Sequence, residues 1–238
     1  MAASRGLVRG VPRVLAWALA AAIGALLALQ LWFLGQVVWL KWNDPGSTAF
    51  MRAQHDALRR QDPNVELSHR WVPYERISPH LKRAVIAAED ANFTGHDGVD
   101  WEAIERAHER NVKRGRVTHG GSTITMQLAK NLFLSGERSY LRKAQELAIA
   151  VMLEAVLPKA RILELYLNVA EWGVGVFGCE AGARRHFGTT AAQLSPSQSA
   201  RLAAMLPRPR FYDRSPDAPG LARRTAAIQR WMGAVVPP

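Results

Sequence analysis

From Val14 to Leu40 the chain carries no charged residue, and 23 of those 27 positions are Ala, Val, Ile, Leu, Phe or Trp. Wound as an α-helix, the run is about 40 Å long, enough to cross a bilayer core with some tilt. Two other structures compete for it. A cleaved secretory signal has an apolar stretch of only about 7–15 residues, followed by small residues at the cut. This run ends instead in Val37-Val38-Trp39-Leu40-Lys41-Trp42. A core helix of a soluble domain is rarely so long or so uniform. The span reads as a retained transmembrane helix, residues 14–40, behind a cytoplasmic segment, residues 1–13.

Charge sets the orientation. Arg5, Arg9 and Arg13 precede the span and only Lys41 follows it closely, so the positive-inside bias holds the N-terminus in the cytoplasm. Trp32, Trp39 and Trp42 fall where an aromatic belt would lie on the outer side. Residues 43–238 then form one extracytoplasmic domain. The whole chain has a formal charge of +11, which suggests a polyanionic partner. Four of its 31 Lys and Arg lie in residues 1–43, where there is no acid; 27 bases face all 20 acids beyond, a surplus of +7. The topology argues against nucleic acid and leaves a membrane surface or a phosphorylated substrate. Cys179 is the single cysteine, which excludes an intrachain disulfide framework and any multi-cysteine metal site.

The domain is helical by pattern. Ser78-Pro79 starts a helix, with Ser as N-cap and Pro at the first position. Leu81, Ala84, Val85 and Ala88 give it one apolar face, and it ends near Glu89-Asp90. Asp100 can cap a second helix, Trp101 to about Lys113. Others are expected over Ile124–Leu132, Ser139–Leu157 (stopped by Pro158), Arg161–Asn168, Gly178–His186, Ser197–Leu206 and Leu221–Met232. The expectation is an all-α domain of about eight helices with little or no sheet.

Four stretches carry candidate chemistry. Glu89-Asp90-Ala91-Asn92-Phe93-Thr94-Gly95-His96-Asp97-Gly98-Val99-Asp100 puts acids at the end of an apolar helix. That end bears partial negative charge, so a carboxylate there is disfavoured as an anion. Beside an apolar face, Glu89 would have a raised pKa and could act as a general base. A solvated turn is the plainer alternative, and a metal site from His96 and nearby acids a third. Thr118 through Asn131 contains Gly120-Gly121-Ser122-Thr123 at a helix start, a plausible anion cradle, although Ser122 could simply cap the helix. It is not a Walker loop, because no Gly-Lys-Ser/Thr follows at the needed spacing. Gln127, Lys130 and Asn131 form a polar stripe beside Ile124 and Leu128. Arg138, Arg142 and Gln145 or Glu146 share a helix face, which alone could be an exposed ion-pair surface. Lys159 through Asn168 suits a packed helix.

Taken in order, these stretches resemble the peptidoglycan glycosyltransferases of bacterial cell-wall synthesis, glycosyltransferase family 51. The first motif is Glu89, Asp90, Phe93, His96, Gly98 and Asp100. The second runs through Gly121-Ser122-Thr123-Ile124-Thr125, Gln127-Leu128 and Lys130-Asn131. The third is Arg142-Lys143-Ala144-Gln145-Glu146, and the fourth Arg161-Ile162-Leu163-Glu164 with Tyr166-Leu167-Asn168. The fifth resembles Phe177-Gly178 and Ala181 through Phe187-Gly188, with a later Leu202–Pro207 run. The match covers about Trp71 to Tyr212. Asn92, Met126 and Gln198-Ser199 stand where the family often has Arg, Gln and an acid. No Ser-x-x-Lys or Lys-Thr-Gly of a penicillin-binding domain occurs, so the chain is similar to the monofunctional biosynthetic transglycosylases.

That resemblance implies a lysozyme-like large lobe and a small membrane-proximal lobe within about residues 109–140. It implies lipid II and the growing glycan strand as substrates, joined by β-1,4 bonds with release of undecaprenyl diphosphate. Glu89 would be the general base. Glu146, the second catalytic acid, would orient cations rather than act as a second base. Asp90, Phe93, His96, Ser122, Thr123, Gln127, Lys130, Asn131, Arg138, Arg142 and Lys143 are the substrate-binding set, with Lys130, Arg138 and Arg142 for the diphosphate. No cofactor is required; Mg or Mn at the diphosphate is an added option. The implied setting is the bacterial inner membrane, with the catalytic domain periplasmic and other cell-wall synthesis or division proteins as partners. The apolar segment Ile124–Leu134 could dip into the bilayer, or Leu132, Phe133 and Leu134 could be ordinary core. A lytic enzyme cleaving peptidoglycan, or an inert anchored scaffold, are the competing functions. A hydrolase would pair acids around the scissile bond and have no use for the three cations.

Overall fold

The computed structural model describes residues 7–113, 115, 121–134 and 139–238, with side chains from Arg13 onward except Asn111. Helix α1 (Leu7–Trp39) is one uninterrupted rod of 33 residues. Its portion Arg13–Trp39 is long and apolar enough to cross a membrane. Trp17, Ile23, Leu26 and Leu27 stand exposed along it. An apolar helix exposed over most of this length is compatible with a membrane anchor.

The end of α1 is different, because it docks. Val37 and Leu40 are buried in the core of the domain. Arg161 reaches this exit and donates to the Leu40 carbonyl at 3.0 Å and the Asn43 carbonyl at 2.8 Å. It also pairs with Asp44 and Glu164, each at 2.8 Å.

The domain follows as α2 (Ala49–Arg59), β1 (Ser68–His69), α3 (Pro79–Glu89), α4 (Trp101–Lys113), α5 (Ile124–Phe133), α6 (Tyr140–Val156) and α7 (Lys159–Val169). Then come β2 (Glu171–Gly173), β3 (Val176–Phe177), α8 (Cys179–Phe187), α9 (Pro196–Met205), α10 (Pro209–Arg214) and α11 (Pro219–Trp231). The contacts of α1 with α6 and α5 include a polar pair and an aromatic pair. Gln30 and Gln145 exchange amide hydrogen bonds at 3.0 and 3.1 Å, and Phe33 meets Phe133 edge-on with centroids 5.8 Å apart. The chain is mostly helical, at 68% helix and 3% strand, and fits the all-α, lysozyme-like fold that the resemblance implied. Helices α5 and α7 form the centre: Ile124, Leu128, Ile162, Leu163, Leu165 and Tyr166 are all fully buried. Helix α5 packs on α6 and α7, and α3 packs between α9 and α11. The expected lobe at 109–140 falls partly outside the described residues.

Each of the eight helices expected in the domain occurs within a few residues of its expected bounds. Asp100 caps α4 as expected, accepting from the Ala103 amide at 2.7 Å. Ser78 precedes α3, but its hydroxyl donates to the Leu194 carbonyl at 3.0 Å and makes no cap bond. Two helices were not foreseen, and the little sheet that the pattern allowed is three short strands. Helix α2 has only Met51 buried, too sparse an apolar pattern to register, and α10 is a single short piece of six residues. The sheet has order β1-β3-β2, with β1 parallel and β2 antiparallel to β3. Strands of two or three residues show no readable alternation.

Leu132 is core, while Phe133 and Leu134 are half-buried. Leu132 and Phe133 line a groove of about 480 Å³ with Trp32, Trp39 and Arg52, so this segment lies against the anchor as well as the core.

Asn168 shows how the interior settles its polar groups. Its amide is fully buried; the oxygen accepts from the Val72 amide at 2.8 Å and the nitrogen donates to the carbonyls of Val72 and Glu164 at 2.9 Å. Removing it would strand both Val72 groups. Asn168→Ala should therefore cost about 2–3 kcal/mol, measured by denaturant unfolding in detergent.

Candidate active site

Leu81, Val85 and Glu89 recur every four residues along α3 and share a face. Leu81 and Val85 are fully buried, so the same face carries Glu89 to the edge of the core. Its side chain is 12% exposed. Gln127 of α5 donates to Glu89 Oε2 at 3.0 Å, and Arg224 of α11 donates to Oε1 at 3.1 Å. The Tyr166 hydroxyl donates to Gln127 Oε1 at 3.0 Å, which orients the amide with its NH₂ toward the carboxylate. Burial pushes the Glu89 pKa up; the Gln127 bond and the Arg224 charge pull the other way, and neighbouring Asp90 adds to the rise.

Asp90, the next residue, faces inward. It accepts from His96 Nε2 at 2.9 and 3.1 Å and from the Ile124 amide at 3.0 Å. His96 Nδ1 accepts from the Gly98 amide at 3.2 Å, so neutral His96 with its proton on Nε2 satisfies both bonds. The start of α5 was expected as a cradle for a substrate anion. In the fold Asp90 takes the Ile124 amide, and Thr123 Oγ1 takes the Met126 amide at 3.2 Å. The cap is Thr123, not Ser122, and its hydroxyl donates to the Gly98 carbonyl at 2.6 Å.

Gly98 itself is required there: φ is +88°, and a Cβ would come within 3.2 Å of the Ala150 carbonyl oxygen. At Gly121 a Cβ would meet the Ile104 backbone at 2.9 Å. Phe93 is fully buried, with Lys159 Nζ 4.6 Å from its ring centroid. Lys159 also bonds the His96 carbonyl at 2.5 Å and Glu154 at 2.8 Å. Asp90, Phe93, His96 and Thr123 were expected to touch substrate. Each has partners within the protein that shape the loop beside Glu89, and Asp90 and Thr123 also line the cleft onto which Glu89 opens.

The cationic side of the site starts at α6. Glu146 is 4% exposed and ion-paired with both Arg142 and Lys143, the latter at 2.8 Å. Lys143 also donates to Ser122 Oγ at 3.0 Å. This cluster links α6 to the start of α5. A cleft of about 440 Å³ runs past Glu89, Asp90 and Asn92 to Ser122, with Arg106 and Arg110 of α4 on its wall. Lys130 is half-buried one turn beyond Gln127, with Nζ 5.9 Å from the Phe50 ring centroid and its charge acting on Glu171. It is not among the residues that line the Glu89 cleft. Asn131 is buried. Arg138 lies outside the described residues.

Sequence reading missed Arg224, Arg106 and Arg110 and did not see what Tyr166 does. One signal for Arg224 existed. Leu221 and Ile228 are the buried residues of α11, and position 224 falls on their side of the helix, where a charge is unusual.

A helical domain on an apolar membrane-type helix, with one desolvated carboxylate opening on a cation-lined cleft, has the parts of a glycosyltransferase that works at a membrane. The family model described as Transglycosylase matches residues 55–233. The chain is 56% identical over 221 residues to a biosynthetic peptidoglycan transglycosylase of Herminiimonas arsenicoxydans, covering 93% of this chain and 96% of that one. A protein of the same description from Bordetella pertussis is 58% identical over 224 residues, 92% of this chain and 93% of the other. The chain thus belongs to the transglycosylase family, and it is a glycosyltransferase.

If Asp90 serves mainly to hold α5, Asp90→Ala should cost stability as well as activity. It would leave His96 Nε2 and the Ile124 amide unpaired, at about 2–4 kcal/mol. Thermal unfolding and faster amide exchange around residues 122–126 would register the loss; unchanged stability would return Asp90 to the substrate.

Proposed function

We propose that this transglycosylase polymerises lipid II into β-1,4-linked glycan strands in cell-wall synthesis, with Glu89 as general base. The observation that carries the reading is the Glu89 carboxylate, largely desolvated yet open to a cleft and held by one donor on each oxygen. The acceptor's 4-hydroxyl gives its proton to Glu89 as its oxygen bonds to the donor's anomeric carbon. The bond from that carbon to the diphosphate oxygen breaks, and its electron pair leaves with the lipid diphosphate. The leaving group is a weakly basic anion, so it needs cations more than an acid. Arg142 and Lys143, organised by Glu146, are the described candidates on the α6 side, with Lys130 further along α5. Ser122, Gln127 and Asn131 complete the proposed substrate set, and Arg138 is retained in it from the motif. No cofactor is required in this scheme; a Mg or Mn ion would add to the charge on the diphosphate.

The proposed setting is the bacterial inner membrane. The helix α1 supports a single-pass anchor, and the arginines before it support a cytoplasmic N-terminus with the domain in the periplasm. Other cell-wall synthesis or division proteins are the proposed partners.

Glu89→Gln keeps the shape and removes the base. Polymerisation of purified lipid II should fall by about 10²–10⁴ while the protein stays folded. Near-normal glycan strands from the mutant would sink the assignment. Release of sugar fragments from preformed peptidoglycan would instead mark a lytic enzyme.

The raised Glu89 pKa has its own consequence. A base works only as the anion, so activity should be lost as pH falls through that raised value, above the ordinary carboxylate range near 4.3. A pH–rate profile of kcat reads this limb directly. An acid limb at or below the ordinary range would contradict the desolvated environment.

A further inference from the structure

We infer that Arg224 is a positioning residue for the reaction: from α11 its guanidinium orients the Glu89 carboxylate and holds it as the anion that accepts the proton. This rests on the proposed role of Glu89.

Two things make Glu89 hard to keep ionised and aimed. It ends α3, where the last carbonyls concentrate partial negative charge, and it is mostly removed from water. Arg224 answers both at once. One Nη donates to Glu89 Oε1 at 3.1 Å and lies 3.5 Å from the Ala88 carbonyl oxygen at the same helix end. Gln127 holds Oε2 and is itself held by Tyr166. The carboxylate is thus fixed from both oxygens, and each oxygen keeps a lone pair for an incoming proton.

The other charged groups around Glu89 do not replace Arg224. Asp90 on its own helix end is an anion turned toward His96 and α5. From α7, Tyr166 is a neutral donor whose pKa burial drives well upward. Across the cleft, Arg106 of α4 pairs with Glu102 at 3.0 Å and lies 3.8 Å from Asp100. Arg110 bonds the Arg106 carbonyl at 3.0 Å. Among the described residues, Arg224 is the cation in contact with Glu89.

Arg224 is also separable from the fold. Leu221 and Ile228 bury α11, while the Arg224 side chain is 38% exposed. A polar substitution there leaves α11 docked.

The test uses the full chain in detergent with purified lipid II. Arg224→Gln removes the charge that favours ionised Glu89, so the acid limb of kcat should move to higher pH. On that limb kcat should drop by about tenfold and recover as pH rises, with KM changing little. Arg224→Lys keeps a charge without the planar fork; its limb should stay near wild type with a lower plateau. A second readout needs no turnover. Carbon NMR of labelled Glu89, assigned by loss of its signal in Glu89→Gln, should titrate at higher pH in Arg224→Gln. An unmoved limb together with an unmoved NMR midpoint would overturn the inference. A fully active Glu89→Gln would overturn the base assignment instead, while the NMR midpoint would still report whether Arg224 governs Glu89.

Discussion

Glu89 and Asp90 are adjacent carboxylates at the junction of two helices, and they meet opposite ends of them. Asp90 lies against the start of α5, where the free amide of Ile124 and the positive end of the helix suit an anion. Glu89 lies at the finish of α3, where the charge is of the wrong sign. The site depends on that asymmetry. With Asp90 spent internally on Ile124 and His96, the loop that carries Phe93 and Gly98 closes over the core. Glu89 is then left at the cleft with its burial only partly offset by Gln127 and Arg224. A group that is desolvated, oriented and still reachable is what a base needs.

The same economy applies to the anchor. A membrane helix joined by a loose linker would leave the cleft at no fixed height over the bilayer. Here the exit of α1 is clasped by Arg161, which bonds two of its carbonyls and an acid beyond it. The Gln30–Gln145 pair ties α1 to α6, whose first turn carries Arg142 and Lys143. The two amides exchange both of their hydrogen bonds, so this contact helps specify how α1 sits on the domain. A substrate with its lipid in the membrane and its diphosphate at the surface would meet these cations at a fixed distance from the anchor.

Much of this was legible in the residues. The eight helices followed from caps, prolines and apolar spacing, and the desolvated Glu89 carboxylate from an acid placed at the end of an apolar helix. What was not legible came from pairing across the chain. Asp90 with Ile124, Thr123 with Gly98 and Glu89 with Arg224 join positions far apart in sequence, and no local pattern reports which partner a buried polar group will find. Thus the internal partners of Asp90, His96 and Thr123, which are each other and the backbone, were invisible in the sequence. At the Gly-Ser-Thr start of α5 the Ile124 amide takes an anion of the protein's own, Asp90.

The surplus of cations also changes meaning once it is located. A count of +7 outside the anchor suggests a broad attraction to any polyanion. Arg142 and Lys143 converge instead on one buried acid, Glu146. Two cations that close repel each other, and a shared carboxylate between them offsets that repulsion while fixing where their remaining donors point. Through Lys143 the cluster reaches Ser122 at the start of α5. Donors fixed before the charge develops need not reorganise during the reaction, which is where electrostatic stabilisation gains most over water. On this view Glu146 matters for catalysis through the two cations it organises, and the proton is left to Glu89.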